Sequence, residues 1–217
     1  MATVQHVTSL DEAIDLLAGA GKLRAGTVVI TDFDNTLVSF GEEARNLLDL
    51  RPEAIPDETM YLLDRLVAMG VQVAVATNRP DEGIYLAKKW AKLRGNYNVY
   101  PEALEKKGVE VFGGGPFFMV EKYKETDNAV YALRSWLVAP VESGGAGLNG
   151  GSALVVCLGD RLGDLSFFEK LEKSVHAHNP EVVFEIYKLP GIAAEENPSP
   201  PSGIKERLIK LIARFLP

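Results

Sequence analysis

The sequence predicts an α/β protein with a doubly wound parallel sheet and a small inserted cap. Three short runs of β-branched and other apolar residues lack polar alternation, which is typical of strands covered on both faces. Amphipathic segments separate these runs, and such alternation of strands with helices favours a parallel sheet. The length of 217 residues suits one core with an insertion. The predicted strands are 28–31, 71–76 and 153–158.

The first helix is predicted ahead of the first strand. Ser9 followed three residues later by Glu12 matches a capping box, and the apolar positions continue through Leu17 before Gly19 ends the pattern. Later segments show apolar residues at helical spacing and begin with aspartate, which is favoured in the first turn of a helix. The remaining predicted helices are 57–69, 81–94 and 127–138.

The chain divides into a core, an insertion and a tail. Residues 96–121 mix aromatic and β-branched residues with a run of three glycines, and we expect them to form the small cap. The core then comprises 1–95 and 122–189. Four prolines make 190–203 a linker, and 204–217 is predicted to be a terminal amphipathic helix with a basic side. Docking of this helix on protein is favoured over contact with a membrane surface.

Charge and cysteine content exclude several classes of protein. The net charge is −7 and the isoelectric point is near 5.1, so no overall field attracts nucleic-acid phosphates. A single cysteine cannot form an intramolecular disulfide, which favours a reducing compartment. The sequence has neither a signal-peptide pattern at its start nor a long apolar run. We therefore expect a cytoplasmic protein that does not bind nucleic acid.

Acidic residues follow two of the predicted strands. Asp32 and Asp34 come after the first strand and point the same way if the chain stays extended, and Asp160 and Asp164 follow the third. The carboxyl ends of parallel strands meet at one edge of the sheet, where ligands bind. Carboxylates gathered there repel one another unless a cation lies between them. Because all the ligands are oxygens, Mg²⁺ is favoured over zinc.

Each of these aspartates also has a purely structural explanation. Paired aspartates at a strand end are common in turns, and Asp164 is suited to capping the helix that follows it. The hypothesis of a site therefore rests on the combination of polar residues at three consecutive strand ends, which also includes Thr77 after the second strand.

Four features follow one another along the chain: DFDNT, ATNRP, a lysine ahead of a helix, and GDRLGD. In order and spacing they resemble the four motifs of the haloacid dehalogenase-like hydrolase superfamily. The resemblance covers residues 28–180. ATNRP and the later segment HNPEVV are similar to the sugar-phosphate phosphatases of this superfamily, whose cap is inserted between the second and third motifs. The resemblance implies a Rossmann-like core with hydrolase activity.

The same resemblance implies a role for each aspartate. Asp32 would be the nucleophile that becomes an aspartyl phosphate, and Asp34 would be the general acid and base. Mg²⁺ would be held by the Asp32 carboxylate, the Asp34 backbone carbonyl and Asp160, with Asp164 either a direct ligand of the ion or a neighbour of its ligands.

The resemblance also implies the groups that bind phosphate. Thr77 and the backbone of Asn78 would donate hydrogen bonds to the phosphoryl oxygens. Lys124 would place a cation on the same oxygens as negative charge develops. Lys122 shares the strand parity of Lys124 and remains the alternative for this role.

The expected function is that of a Mg²⁺-dependent phosphatase whose partner is a small phosphate ester, such as a sugar phosphate. A phosphomutase with the same aspartates is one alternative. A lipid-phosphate phosphatase is another, because GDRLGD faintly resembles the phosphatidylglycerophosphate phosphatases. A non-enzymatic phospho-acceptor domain is a third alternative, but Asp34 argues against it, since a lasting phosphoaspartate gains nothing from an adjacent base.

Overall fold

The computed structural model describes residues 2–38, 55–78, 102–113, 124, 126–148 and 153–190. No helix within these ranges has both the length and the apolar character needed to cross a membrane. Four predicted features lie outside the described residues. They are the helix over 81–94, the alternative lysine Lys122, the linker beyond Pro190 and the terminal helix over 204–217.

A single parallel sheet of six strands forms the centre of the described structure. In chain order the strands are β1 (Val4–His6), β2 (Thr27–Thr31), β3 (Gln72–Ala76), β4 (Glu110–Phe112), β5 (Leu154–Gly159) and β6 (Val183–Lys188). Across the sheet the order is β1, β6, β5, β2, β3, β4, and every neighbouring pair is parallel. The three predicted strands are confirmed as β2, β3 and β5, which are adjacent at the middle of the sheet.

Helices cover both faces of this sheet. Those with described residues are α1 (Leu10–Gly19), α2 (Asp57–Ala68), α3 (Glu102–Lys106), α4 (Asp127–Val138) and α5 (Leu162–His176). The apolar sides of α1 and α2 pack with Val29 on one face, and those of α4 and α5 pack with Ile30 on the other. Burial on both sides explains why the central strands show no polar alternation. The α/β fold is therefore confirmed, as are helices at 57–69 and 127–138.

The start of α1 follows the predicted signal. The Ser9 hydroxyl accepts a hydrogen bond from the backbone N–H of Glu12, at 3.1 Å, as an N-cap residue does. The Glu12 carboxylate accepts from the backbone N–H of Thr8 instead of that of Ser9. The capping interaction therefore extends one residue further from the helix than the capping-box pattern predicts.

The cap predicted over 96–121 is not confirmed. Within that segment the structure describes 102–113, where α3 leads into β4, and β4 pairs with β3 through Val111 opposite Val75. Residues 110–112 therefore belong to the core sheet, which corrects their assignment to a separate lobe. The physical reason is that β4 satisfies the hydrogen-bonding groups that β3 would otherwise leave unpaired along its edge. The remainder of 96–121 lies outside the described residues.

Candidate metal and phosphate site

Three buried carboxylates meet at the carboxyl edge of the sheet. Asp32 follows β2, Asp160 follows β5, and Asp164 lies in the first turn of α5. One carboxylate oxygen from each lies within 4.8 Å of the other two. No more than 4% of any of these residues is exposed. The structure therefore brings together three of the four aspartates that the sequence singles out.

The pairing of β2 with β5 explains how residues so far apart in sequence meet. Thr31 lies opposite Leu158, and the backbone N–H of Asp32 donates to the Leu158 carbonyl at 2.9 Å. This bond extends the ladder past the end of β2, so Asp32 begins from a fixed backbone position. Asp160 leaves the adjacent strand one residue after its end.

Asp164 caps the following helix and also contacts the cluster. Its Oδ2 accepts a hydrogen bond from the backbone N–H of Arg161 at 3.1 Å, which caps the start of α5. Its Oδ1 accepts from Nζ of Lys124 within the site. Capping orients the carboxylate, and its second oxygen remains available to the cluster.

Lys124 is the cation at the centre of this cluster. Its Nζ donates to Oδ1 of Asp32 at 2.6 Å and also to Asp164, and the lysine is 4% exposed. Its backbone N–H donates to Oδ1 of Asn78 at 2.8 Å, so the residue after β3 fixes the position of Lys124. The sequence analysis expected Asn78 to act through its backbone. It did not predict this contact of the Asn78 side chain.

The charges in this buried site are not balanced by Lys124 alone. The pKa of Asp32 is raised to about 7, mainly by burial and also by the Asp164 and Asp34 carboxylates, while Lys124 opposes the shift. Burial lowers the pKa of Lys124, but the charges of Asp32 and Asp164 outweigh this effect and the net shift is upward. The lysine is therefore held in its charged form, and negative charge is in excess around it.

The other two predicted residues lie beside the cluster. Asp34 is half-buried in a tight turn, in which Asn35 has a positive φ of 60° and the backbone N–H of Leu37 donates to the Phe33 carbonyl. The group of three close carboxylates found among the described residues does not include that of Asp34. Thr77 is fully buried after β3, and its backbone N–H donates to the Phe112 carbonyl at 2.8 Å.

The donor set fits a small divalent cation. Asp32, Asp160 and Asp164 offer carboxylate oxygens, which Mg²⁺ prefers, and their close spacing would be costly without positive charge nearby. Three buried carboxylates face one buried lysine, Lys124, with the half-exposed Arg161 3.9 Å from Oδ2 of Asp160, and this balance favours such an ion. The backbone carbonyl of Asp34 remains a prediction as a further ligand.

Two further residues beside the site were given no role by the sequence analysis. Lys188, the last residue of β6, donates from Nζ to the backbone carbonyl of Asp160 at 3.2 Å. Gly159, the last residue of β5, lies against Asp164. A lysine after the segment VVFEIY, which is apolar except for Glu185, was the available signal for Lys188, but no strand was predicted there.

The sequence matches no protein-family model, no curated protein and no solved structure at a significant level. Any function must therefore be argued from the residues of the site and from the resemblance of its motifs.

Proposed function

We propose that this protein is a Mg²⁺-dependent phosphatase that hydrolyses a small phosphate monoester, such as a sugar phosphate, through an aspartyl phosphate on Asp32. The observation that carries the proposal is the buried 2.6 Å contact between Asp32 and Lys124, beside the carboxylates of Asp160 and Asp164. A nucleophilic carboxylate, a cation for the phosphoryl oxygens and an acidic metal site are the parts that this chemistry requires. The motif resemblance to haloacid dehalogenase-like hydrolases supports the same assignment.

Asp32 is the proposed nucleophile. Its Oδ1 accepts from Lys124, and its Oδ2 is the proposed attacking atom. Oδ2 would form a bond to phosphorus while the bond from phosphorus to the substrate alcohol breaks. Asp34 would give its proton to the departing alcohol oxygen. The products of this first step are the free alcohol and an aspartyl phosphate.

Asp34 would then act as a base in the second step. It would take a proton from a water molecule whose oxygen attacks phosphorus, and the bond between phosphorus and Asp32 would break. Inorganic phosphate is released, and Asp32 and Asp34 return to their starting states. The position of Asp34 supports this role, because its charge is close enough to raise the pKa of Asp32.

Lys124 would stabilise the phosphoryl oxygens. An ammonium group has three N–H donors, and two of them point at Asp32 and Asp164. The third donor is left for a phosphoryl oxygen, and burial strengthens this interaction. Mg²⁺, when bound, supplies the positive charge that offsets repulsion between the carboxylate and the phosphate anion. Asn78 keeps the backbone of Lys124 at a fixed distance from β3.

The first test is hydrolysis of para-nitrophenyl phosphate with and without Mg²⁺. We expect turnover that requires the metal and that is lost in Asp32→Asn. Asp15→Asn, which makes the same change at an exposed position on α1, serves as the matched control and should retain the activity. Turnover in Asp32→Asn, or turnover independent of a divalent metal, would contradict the proposal.

A second comparison addresses the lysine and the type of reaction. We expect Lys124→Ala to lose activity and Lys122→Ala to retain most of it; the opposite result would transfer the role to Lys122. Sugar, nucleotide, glycerol and lipid phosphates would then be compared as substrates. Return of phosphate to a second hydroxyl of the substrate would indicate a phosphomutase. A stable phosphoprotein without turnover would indicate a phospho-acceptor domain.

A further inference from the structure

Lys188 lies at the same edge of the sheet as the acidic cluster but contacts none of its carboxylates through an ion pair among the described residues. It ends β6, where it is paired with Gly159 of β5 on one side and with His6 of β1 on the other. Its backbone carbonyl also accepts from the N–H of Val7 at 3.1 Å. The backbone of Lys188 is therefore held by strands on both sides.

The side chain of Lys188 reaches back to the main chain of the neighbouring loop. Nζ donates to the Asp160 carbonyl at 3.2 Å and to the Leu189 carbonyl at 3.4 Å. Asp160 is the first residue after β5, at the point where regular pairing with β6 stops. The contact therefore holds the main-chain carbonyl of Asp160, a residue that is 1% exposed, one position beyond the end of β5.

We propose that Lys188 is a positioning residue for Asp160, which it holds in the orientation needed to bind a divalent cation. This inference rests on the proposed function, because it assumes that the acidic cluster is a Mg²⁺ site. Lys188 acts through the Asp160 main chain and does not touch the substrate or the reacting atoms. Residues that orient a metal ligand in this way typically change metal affinity by about 10–100-fold when they are removed.

A charge effect and a positioning effect of Lys188 predict opposite changes in Mg²⁺ affinity when this lysine is removed. If Lys188 acted only as a nearby positive charge, its removal would strengthen the binding of a cation, because repulsion would fall. If it positions Asp160, its removal weakens binding, because the main chain of Asp160 loses a contact that orients it. The sign of the change in Mg²⁺ affinity therefore separates the two roles without any measurement of activity.

The experiment is a calorimetric titration of the full-length, chelator-treated protein with Mg²⁺. Lys188→Met removes both the charge and the hydrogen bonds, and Lys188→Arg retains N–H donors. Lys22→Met is the matched control, because Lys22 pairs with Glu185 of the same strand and contacts none of the site residues among the described contacts. We expect about 10–100-fold weaker binding in Lys188→Met, recovery towards wild type in Lys188→Arg, and unchanged binding in Lys22→Met.

Equal or tighter Mg²⁺ binding by Lys188→Met would overturn the positioning role while leaving the proposed function intact. If Lys188→Met does not fold, Lys188→Gln replaces it, since glutamine is neutral but keeps an N–H donor. A higher Mg²⁺ affinity in Lys188→Gln than in wild type would likewise overturn the inference. A Mg²⁺ affinity that is lower than that of wild type but still measurable would support it. Failure of the wild-type protein to bind Mg²⁺ would contradict the proposed function itself, and this inference with it.

Discussion

Gly159 and Asp164 are in such close contact that a side chain at position 159 would force one of them to shift. A Cβ atom added to Gly159 would lie 2.7 Å from the Cβ and 3.0 Å from Oδ2 of Asp164. That Oδ2 is the atom that caps α5 through Arg161, while the other oxygen contacts Lys124. Asp164 can therefore occupy its place in the candidate site because Gly159, at the end of β5, has no side chain.

Replacement of Gly159 by alanine is expected to displace Asp164. The added methyl group overpacks the site, so the free energy of unfolding should fall by about 1–3 kcal/mol and Mg²⁺ affinity should fall with it. Denaturant unfolding and Mg²⁺ titration measure the two effects. Gly19→Ala is the control, because nothing lies within 4 Å of a Cβ at this last position of α1. It should leave stability unchanged or raise it by up to about 1 kcal/mol.

Loss of the buried lysine should destabilise the metal-free protein. Lys124→Met leaves Asp32 and Asp164 buried without their cation, which typically costs about 3–5 kcal/mol. Lys107→Met removes the salt bridge with the half-exposed Asp64 and should cost less than about 1 kcal/mol. Chemical unfolding in the presence of a chelator compares the two variants. Similar losses in both would show that the Lys124 contacts are not the buried pairs described above.

The stability of the metal-free protein should depend on pH through Asp32. Its pKa is raised from an ordinary value of 3.8 to about 7, so the folded state binds the proton more tightly than the unfolded state. The resulting stabilisation is complete below about pH 4 and is lost as pH rises through about 7, at about 1.4 kcal/mol per pH unit between the two values.

Asp32→Asn isolates this effect, because asparagine does not titrate. The difference in unfolding free energy between wild type and Asp32→Asn should shift against the wild type as pH rises from about 4 to 7. Saturating Mg²⁺ should flatten the profile, since a bound cation favours the ionised carboxylate. A difference that stays constant over this range would contradict the raised pKa.

The single thiol should be unreactive in the folded protein. Cys157 is fully buried in β5, and burial, together with the nearby Glu172 carboxylate, raises its pKa well above the usual range. Reaction with a thiol-specific disulfide reagent should therefore be limited by unfolding and should accelerate in denaturant. The chain contains one cysteine, so the signal reports on this position alone. Complete reaction within the mixing time under native conditions would show that the position is accessible.

Local patterns were enough to predict the centre of the fold. Strands β2, β3 and β5 are buried on both faces, so their apolar character appears in the sequence without reference to any partner. The start of α1 was predictable because Ser9 caps it through an N–H only three residues away. Such interactions lie within a few residues of one another, and a single sequence shows both members.

The edge strands could not be predicted in the same way. β4 contains three residues and precedes a run of three glycines, and its pattern suited an insertion as well as a strand. β1 is equally short, with two of its three residues exposed. Their extended conformation comes from pairing with β3 and β6, which are distant in sequence, and propensity over three residues is too weak to indicate it.

The sequence by itself determined which residue types lie at the strand ends, and hence that Asp32, Asp160 and Asp164 would share one edge of a parallel sheet. Only the tertiary structure decided which residues contact them. Lys124 reaches Asp32 across 92 positions of the chain, and Lys188 reaches the main chain of Asp160 across 28. The physical reason is that strand order and side-chain direction follow from packing of the whole core, which no local pattern of residues encodes.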